Sequence, residues 1–350
     1  MTPFRAGLTA LLALLASPAL SHERWILGPD RIAHLNAQPK PEIFTMFTVE
    51  GTLILVAFAA IVGALLSMHY GPTPGWLVSI SGRTRRHAHY VPTILRFCAA
   101  WTLISSAFGL EPQVGLAPMT EPSFLAPDLL ISDLGPGWHW LGPAQVVVAV
   151  WLIVGCGAQG AGLALIALAA AGCALWGAAM FAYAPIWFGV GYYLLVRKGG
   201  YYAYRPRTLA GLSACFPPLL FRYPQLVLRI LTGMGFIYLG VCFKIMQPNL
   251  TVAIITLYHV PILSYAPETS VFLMAMIECA GGLLILAGIM IRIVSAGLLC
   301  AFLFFATVLP ESLTVHMIYY GVMVAFLLLG PGRTSREGRY AGAAGRLVQT

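Results

Sequence analysis

The distribution of positive charge between long apolar stretches is the feature that most constrains how this chain can fold. From about residue 44 to residue 330 apolar stretches follow one another, and nearly all lysines and arginines lie in every second gap between them. The basic residues of these gaps are Arg83, Arg85, Arg86, Arg197, Lys198, Arg205, Arg207, Arg222, Arg292, Arg333, Arg336, Arg339 and Arg346. The other gaps carry carboxylates, among them Glu121, Glu268 and Glu311. Loops rich in Lys and Arg stay in the cytoplasm, so this alternation predicts a membrane protein with many spans.

The composition agrees with a membrane location. Of the 350 residues, 59% are hydrophobic and only 9% are charged, whereas a soluble domain carries about 25% charged residues. The formal net charge of +8 comes from the predicted cytoplasmic loops, where basic side chains contact anionic lipid head groups. We therefore expect the lipid bilayer as a partner and no binding to nucleic acid.

Residues 1–21 have the pattern of a secretory signal peptide. A basic start at residues 1–5 precedes an apolar core at residues 6–16, which is too short to cross about 30 Å of hydrocarbon as a helix. Cleavage after Ala19 or after Ser21 fits the small residues of this region. Residues 22–43 are then expected to form a periplasmic N-terminal segment.

The apolar stretches that follow predict an all-α protein, a polytopic membrane bundle of about nine transmembrane helices. The predicted spans are 44–68, 90–109, 143–157, 160–179, 181–197, 225–246, 269–290, 293–309 and 312–330. With a periplasmic mature N-terminus, nine crossings place the C-terminus in the cytoplasm, in agreement with the basic tail at residues 331–350. The expected location is the inner, cytoplasmic membrane of a bacterium.

An internal repeat divides the helices into two parallel units. Arg96 recurs 133 positions later as Arg229, and at the same offset Gln145 corresponds to Glu278. Four helices per unit is an even number, so both units begin on the same side of the membrane. Both arginines lie near inner helix ends, where we expect them to anchor at lipid head groups. The predicted divisions are an extra helix at 44–68, a degenerate four-helix unit at 90–198, a cytoplasmic linker at 199–224 and a second four-helix unit at 225–330.

Residues 225–330 resemble the DoxX family of small four-helix membrane proteins. The matching residues are Arg229, Gly233, Phe236, Gly240, Lys244 and Pro248 on the first helix, and Glu278, Gly281, Gly282, Gly288 and Arg292 on and after the second. The family is similar to the small membrane subunit of thiosulfate:quinone oxidoreductase. The resemblance implies a component of a quinone-linked redox system in a respiratory membrane. It also implies quinone as the cofactor and a periplasmic or membrane redox protein as the partner.

Glu278 is the leading candidate for a functional residue. It lies about nine residues into its predicted helix, at a depth of ~13 Å for a rise of about 1.5 Å per residue, where an acid is costly unless its charge is used or paired. Lys244, near the outer end of its helix, can reach either Glu278 or the membrane surface. His316 and Glu50 lie in the same outer half. We predict that these four residues form a proton-handling group, because an imidazole beside a carboxylate exchanges protons near neutral pH.

Histidines of the N-terminal segment suggest a metal site. Cleavage after Ser21 would leave His22 with a free amine and an imidazole, which together chelate copper. His34 could supply a further ligand, as could His139 or His259. A copper site at His22 and His34 is therefore a hypothesis, and cleavage after Ala19 would exclude its N-terminal chelate.

Two other functions fit the same pattern. A parallel repeat with an intramembrane acid also suits a permease for a small molecule or an ion, although no matched pair of Gly- or Pro-broken helices marks a midplane site. The other hypothesis is a non-catalytic membrane subunit that docks a periplasmic partner. The sequence contains no obvious haem-binding histidine pair and no Fe–S cysteine motif. A redox role therefore requires an electron-carrying partner.

Overall fold

The predicted helical membrane bundle is confirmed. A computed structural model of the chain describes residues 24–72, 74–110, 121–197, 200, 203, 222–262, 265–309, 313–314, 316–330 and 332. Within them, seven helices are long and apolar enough to cross a membrane. The predicted signal peptide, and nearly all of the predicted linker and basic tail, lie outside the described residues.

The helices follow the order of the apolar stretches, with bounds that differ by a few residues from the predicted ones. They are α1 (Arg24–Leu27), α2 (Pro29–Asn36), α3 (Val49–Tyr70), α4 (Gly75–Arg86), α5 (Val91–Phe108), α6 (Leu141–Val154), α7 (Ala158–Trp176), α8 (Ala184–Arg197), α9 (Pro224–Leu239), α10 (Pro248–Leu257), α11 (Pro267–Ala287), α12 (Ile291–Val308) and α13 (Met317–Leu329). Helices α3, α5 to α9 and α11 to α13 correspond to the predicted spans. Of these, α6 and α8 have 14 residues each and α13 has 13, fewer than the usual length of a full span. Helical turns before α6 extend it to 19 residues, Pro136–Val154.

Helices α1 and α2 in the N-terminal segment were not predicted, and neither were three elements between the predicted spans. Helix α4 lies in a basic gap, and helix α10 lies in the connection from α9 to α11. At 12 and 10 residues, both are too short to stand out as apolar stretches. The third element is an antiparallel hairpin of two short strands, β1 (Ser123–Phe124) and β2 (Ala126–Leu130), in the connection from α5 to α6.

Helices α5 to α8 form the first unit, and α9 with α11 to α13 form the second unit. In the second unit, α9 and α11 approach closely at two glycines. A Cβ atom on Gly233 would lie 2.6 Å from the carbonyl oxygen of Gly282, and one on Gly282 would lie 2.7 Å from that of Gly233. Helices α7 and α8 of the first unit meet in the same way at Gly162 and Gly191. Small residues at these crossings let the backbones touch, which is how membrane helices commonly pack.

The last helix of each unit packs against the first helix of the other. A Cβ on Gly321 of α13 would lie 2.7 Å from Cβ of Cys98 on α5, and one on Gly189 of α8 would lie 3.6 Å from Cβ of Leu231 on α9. Cys98 and Leu231 are 133 positions apart, and the two glycines are 132 apart. The units therefore exchange equivalent contacts, which supports the parallel repeat.

Arg96 and Arg229 do not anchor at lipid head groups, so that prediction is wrong. Both side chains are buried. Arg96 donates from Nε to the carbonyl of Leu152 (2.7 Å) and from Nη2 to that of Ile153 (2.9 Å) at the end of α6. Arg229 lies at the equivalent place, against the left-handed Gly288 that ends α11. The last carbonyls of a helix lack partners within it and carry partial negative charge, so a buried guanidinium satisfies them.

A second equivalent pair joins the third and fourth helices of each unit. Arg292 donates from Nε to the carbonyl of Leu327 at 3.0 Å, and Gln159 donates from Nε2 to that of Leu195 at 3.0 Å. Arg292 also donates from Nη1 to Oγ of Ser81 on α4 at 2.9 Å. This contact fixes the basic helix α4 at the end of the bundle where Arg292 lies.

The N-terminal segment, residues 24–43, lies across α10 at the opposite end of the second unit. Asn249 on α10 donates from Nδ2 to the carbonyls of Leu35 (2.8 Å) and Gln38 (3.1 Å). Ile26 packs in an apolar cluster with residues of α10. We call this end, formed by the N-terminal segment and α10, the covered end of the second unit.

Candidate functional site

Three of the predicted site residues line one cavity inside the second unit, close to its covered end. Lys244, Glu278 and His316 share a cavity of about 140 Å³ with the polar side chains of Thr251 and Tyr319. The rest of the lining is apolar and comes mainly from α9, α10, α11 and α12. A few polar groups in an otherwise apolar cavity are typical of a site for a small molecule.

A π-helical turn positions Lys244. Helix α9 continues as a π-turn over Gly240–Ile245, in which the amide of Met246 donates to the carbonyl of Val241 at 2.9 Å. Such turns often occur at functional sites because they change the direction of one side chain. Lys244 is only 7% exposed, and its Nζ donates to Oγ1 of Thr251 on α10 at 3.2 Å. The Lys244 side chain therefore points into the bundle and not toward the membrane surface.

The start of the π-turn packs directly against Glu278. A Cβ atom on Gly240 would lie 3.2 Å from Cβ of Glu278 and 2.6 Å from Sγ of Cys279, so only glycine fits here. Glu278 lies eleven residues after the first residue of α11 and is partly buried. It lines the cavity together with Tyr319 on α13. The carboxyl group is therefore held inside the bundle, between the π-turn and the last helix.

Aromatic rings form one wall of the cavity. The ring of Phe302 lies 5.4 Å from that of His316 and 5.6 Å from that of Tyr319, measured between centroids. Phe236 packs edge-on against Tyr319 at 6.0 Å. The hydroxyl group of Tyr319 donates to the carbonyl of Ala182 in the first unit at 3.3 Å. This wall holds the His316 imidazole next to the cavity, immediately before the first residue of α13.

The structure does not bring Glu50 to this cavity. Glu50 is exposed in the first turn of α3 and is not among the lining residues. His34 is exposed on α2, with its Nδ1 atom 3.4 Å from Nε2 of Gln38. Among the described residues no group of three or more His, Cys, Asp or Glu side chains could hold a metal ion. His22 lies outside those residues, so the copper hypothesis stays a prediction.

The first unit has no matching cavity residue at the position of Glu278. Gln145 stands there, and its amide binds the hairpin on both sides: Nε2 donates to the carbonyl of Ser123 (2.9 Å), and Oε1 accepts from the amide of Leu125 (2.7 Å). Phe124, between them, is fully buried and stacks on Trp176 at 5.2 Å. In the first unit, the hairpin therefore lies next to Gln145, the residue that corresponds to Glu278.

The sequence reasoning missed Thr251, Tyr319 and Phe302 as parts of the site. Tyr319 and Phe302 look like ordinary membrane-helix residues, and only their partners reveal the cavity wall. Thr251 lies between the predicted spans 225–246 and 269–290, where no helix was predicted. Pro248 at the start of α10, followed by nine residues without glycine or a further proline, is the signal that could have predicted the helix carrying Thr251.

The fold defines an integral membrane protein with two related helical units, one of which contains a largely apolar cavity with a few polar side chains. Residues 225–317 match the family model DoxX, so the second unit is a DoxX-like domain. The match covers α9 to α12 and ends where α13 begins. No curated protein and no solved structure matches the chain.

Proposed function

We propose that this protein is an integral membrane component of a quinone-linked redox system, with the cavity of the second unit as the quinone site. The observation that carries the proposal is the meeting of Lys244, Glu278 and His316 in one cavity. A quinone head group has an apolar ring and two carbonyl oxygens, which accept hydrogen bonds and take up protons on reduction. The DoxX match supports the same proposal.

The size and polarity of the cavity suit such a ring. An apolar cavity of about 150 Å³ binds benzene in a protein core, and this cavity measures about 140 Å³. The rings of Phe302 and Tyr319 offer a flat apolar wall for stacking. Lys244 offers N–H donors for a quinone oxygen, and Glu278 can hold a proton beside it.

Glu278, His316 and Lys244 would have different roles in proton transfer. A bound quinone takes up two electrons and two protons when it becomes a quinol, and a redox partner outside this chain supplies or removes the electrons. Glu278 would give or accept a proton at a carboxyl oxygen, and His316 would do the same at a ring nitrogen. The Lys244 ammonium would stabilise negative charge on the quinone oxygen during the exchange.

We further propose that the covered end faces the periplasm of a bacterium and that the basic end faces its cytoplasm. Arg83, Arg85 and Arg86 occupy the last turn of α4, and α4 is attached to the end of the bundle where Arg292 lies. This separation of charge follows the positive-inside rule. Protons released at the cavity would then leave on the periplasmic side.

Binding of a quinone probe to protein in lipid nanodiscs tests the site. Decylubiquinone should bind wild-type protein, and Glu278→Gln should weaken binding or abolish proton exchange while the protein remains folded. Glu50→Gln is the matched control, because Glu50 lies outside the cavity, and it should bind as wild type does. Equal binding and proton exchange by both variants and wild type would exclude this site. Uptake of a solute by proteoliposomes, without quinone binding, would favour a permease instead.

A further inference from the structure

The exposure of the cavity's lining residues differs from one wall to another. Every lining residue from α1, α9 and α10 is buried, and so is Lys244. On α11 and α12, however, Met274, Ile277, Ala301 and Phe305 are partly exposed. Phe302, Leu309 and His316, which complete this side of the lining, are also partly exposed. The more exposed part of the lining thus lies mainly on two neighbouring helices, which points to an opening between α11 and α12.

This opening lies near the middle of both helices. Ile277 and Ala301 are each about ten residues from the start of their helix, or about 15 Å along it at 1.5 Å per residue. That is half of a hydrocarbon core of about 30 Å. Further along, α11 and α12 close again, because a Cβ on Gly281 would lie 3.3 Å from the side chain of Leu298. The opening is therefore a side window that faces lipid tails.

At the covered end, apolar packing blocks the way of a ligand-sized molecule from water, although not that of a proton. Ile26 of the N-terminal segment is 6% exposed, lines the cavity and packs in one cluster with Leu250, Ile254 and Leu309. The hydrogen bond from Asn249 Nδ2 to the carbonyl of Leu35 holds the segment on α10. A ligand that reaches the cavity from water would have to displace this packing, whereas one that arrives from the bilayer would not.

We infer that the ligand enters from the bilayer between α11 and α12 and is an amphiphile. Its polar head lies at Lys244 and Glu278, and its apolar tail leaves through the window between Ile277 and Ala301. The inference rests on the proposed function for the chemistry of the head group. It goes further by assigning the route and the requirement for a tail. The apolar faces of Met274 and Phe305 on either side of the window suit an isoprenoid or alkyl chain.

Two probes with the same quinone ring test the requirement for a tail. Decylubiquinone, after correction for its partition into lipid, should bind at least tenfold more tightly than the tailless ubiquinone-0. Ala301→Trp should remove this advantage by filling the window. Ala306→Trp, on the same helix but outside the lining, is the matched control and should keep it. Equal corrected affinities of the two probes for wild-type protein would overturn the inference and leave the proposed function intact.

A spin label tests the window without any quinone. A nitroxide on Ala301→Cys, in a protein whose native cysteines are replaced by alanine or serine, should collide more with lipid-soluble oxygen than with a water-soluble nickel chelate. The label on Ile254→Cys, at the buried wall, should be shielded from both. Stronger relaxation of the Ala301 label by the nickel chelate would overturn the lipid route. If neither quinone binds but oxygen relaxes the Ala301 label more strongly than the nickel chelate does, the proposed function fails and the inference of a lipid-facing window remains.

Discussion

The two units share a helical framework and differ in what the connection between their first two helices does. In the first unit, that connection folds into the β-hairpin, and Gln145 binds it inside the bundle. In the second unit, the connection forms α10, which lies across the covered end. Glu278, at the position equivalent to Gln145, therefore faces a cavity and no hairpin backbone. The same helical framework thus gives one unit whose interior holds the hairpin and one unit that contains a cavity.

The difference also separates two uses of buried polar groups. In the first unit they fix the fold: the hydroxyl group of Tyr183 donates to Oδ2 of the buried Asp128 on β2. In the second unit Lys244, Glu278 and His316 line the cavity, and Lys244 also donates to Thr251. Buried groups that satisfy one another stabilise a structure, whereas groups that line a cavity can bind a ligand.

The largest expected effect concerns what the units share, the buried arginines. Arg96→Ala removes two hydrogen bonds to the end of α6 and should destabilise the protein by about 4 kcal/mol, because charged hydrogen bonds contribute about 1.5–3 kcal/mol each. Arg229→Ala should cost a similar amount. Unfolding in mixed micelles measures both. Arg83→Ala, an exposed arginine on α4, should change stability by less than about 0.5 kcal/mol. A loss at Arg96 no greater than that of the Arg83 control would refute the helix-end role.

The second effect separates the units at one equivalent position. Gln145→Leu leaves the amide of Leu125 and the carbonyl of Ser123 without partners, so it should cost about 2–3 kcal/mol. Glu278→Gln should cost less than about 1 kcal/mol, since the neutral amide is easier to bury than a carboxylate. The same unfolding measurement compares them. If Glu278→Gln proves more destabilising than Gln145→Leu, the proposed difference between the roles of these two residues is wrong.

The smallest expected effect concerns the attachment of the N-terminal segment at the covered end of the second unit. Asn249→Ala removes the bonds to the carbonyls of Leu35 and Gln38 and should loosen the N-terminal segment by about 1–2 kcal/mol. Hydrogen–deuterium exchange should then be roughly tenfold faster in residues 24–43, because about 1.4 kcal/mol corresponds to a factor of ten. Asn36→Ala, an exposed asparagine on α2, is the control. Unchanged exchange in Asn249→Ala would show that other contacts hold the segment.

The helices and part of the site could be predicted from the sequence, because both depend on short-range patterns. Apolar stretches give the spans, and depth along a helix singles out Glu278 in its unit. The offset of 133 residues pairs Arg96 with Arg229, but it does not reveal that each arginine lies against the end of the second spanning helix of its unit. The binding of the hairpin by Gln145 and the hydrogen bonds of Asn249 to the N-terminal segment depend on contacts between distant parts of the chain. No local pattern at Phe124 or Leu35 indicates those partners. Depth along a helix also singles out Glu50, but that side chain is exposed and does not line the cavity.

Infrared difference spectroscopy tests the central claim most directly, because it observes the proton on the carboxyl group itself. Protein in nanodiscs with bound decylubiquinone is reduced and reoxidised electrochemically, and the carbonyl-stretch region of protonated carboxyl groups is recorded. We predict a band that changes with quinone reduction in wild type and in Glu50→Gln and is absent in Glu278→Gln. The same band in Glu278→Gln, at unchanged position and intensity, would contradict the account.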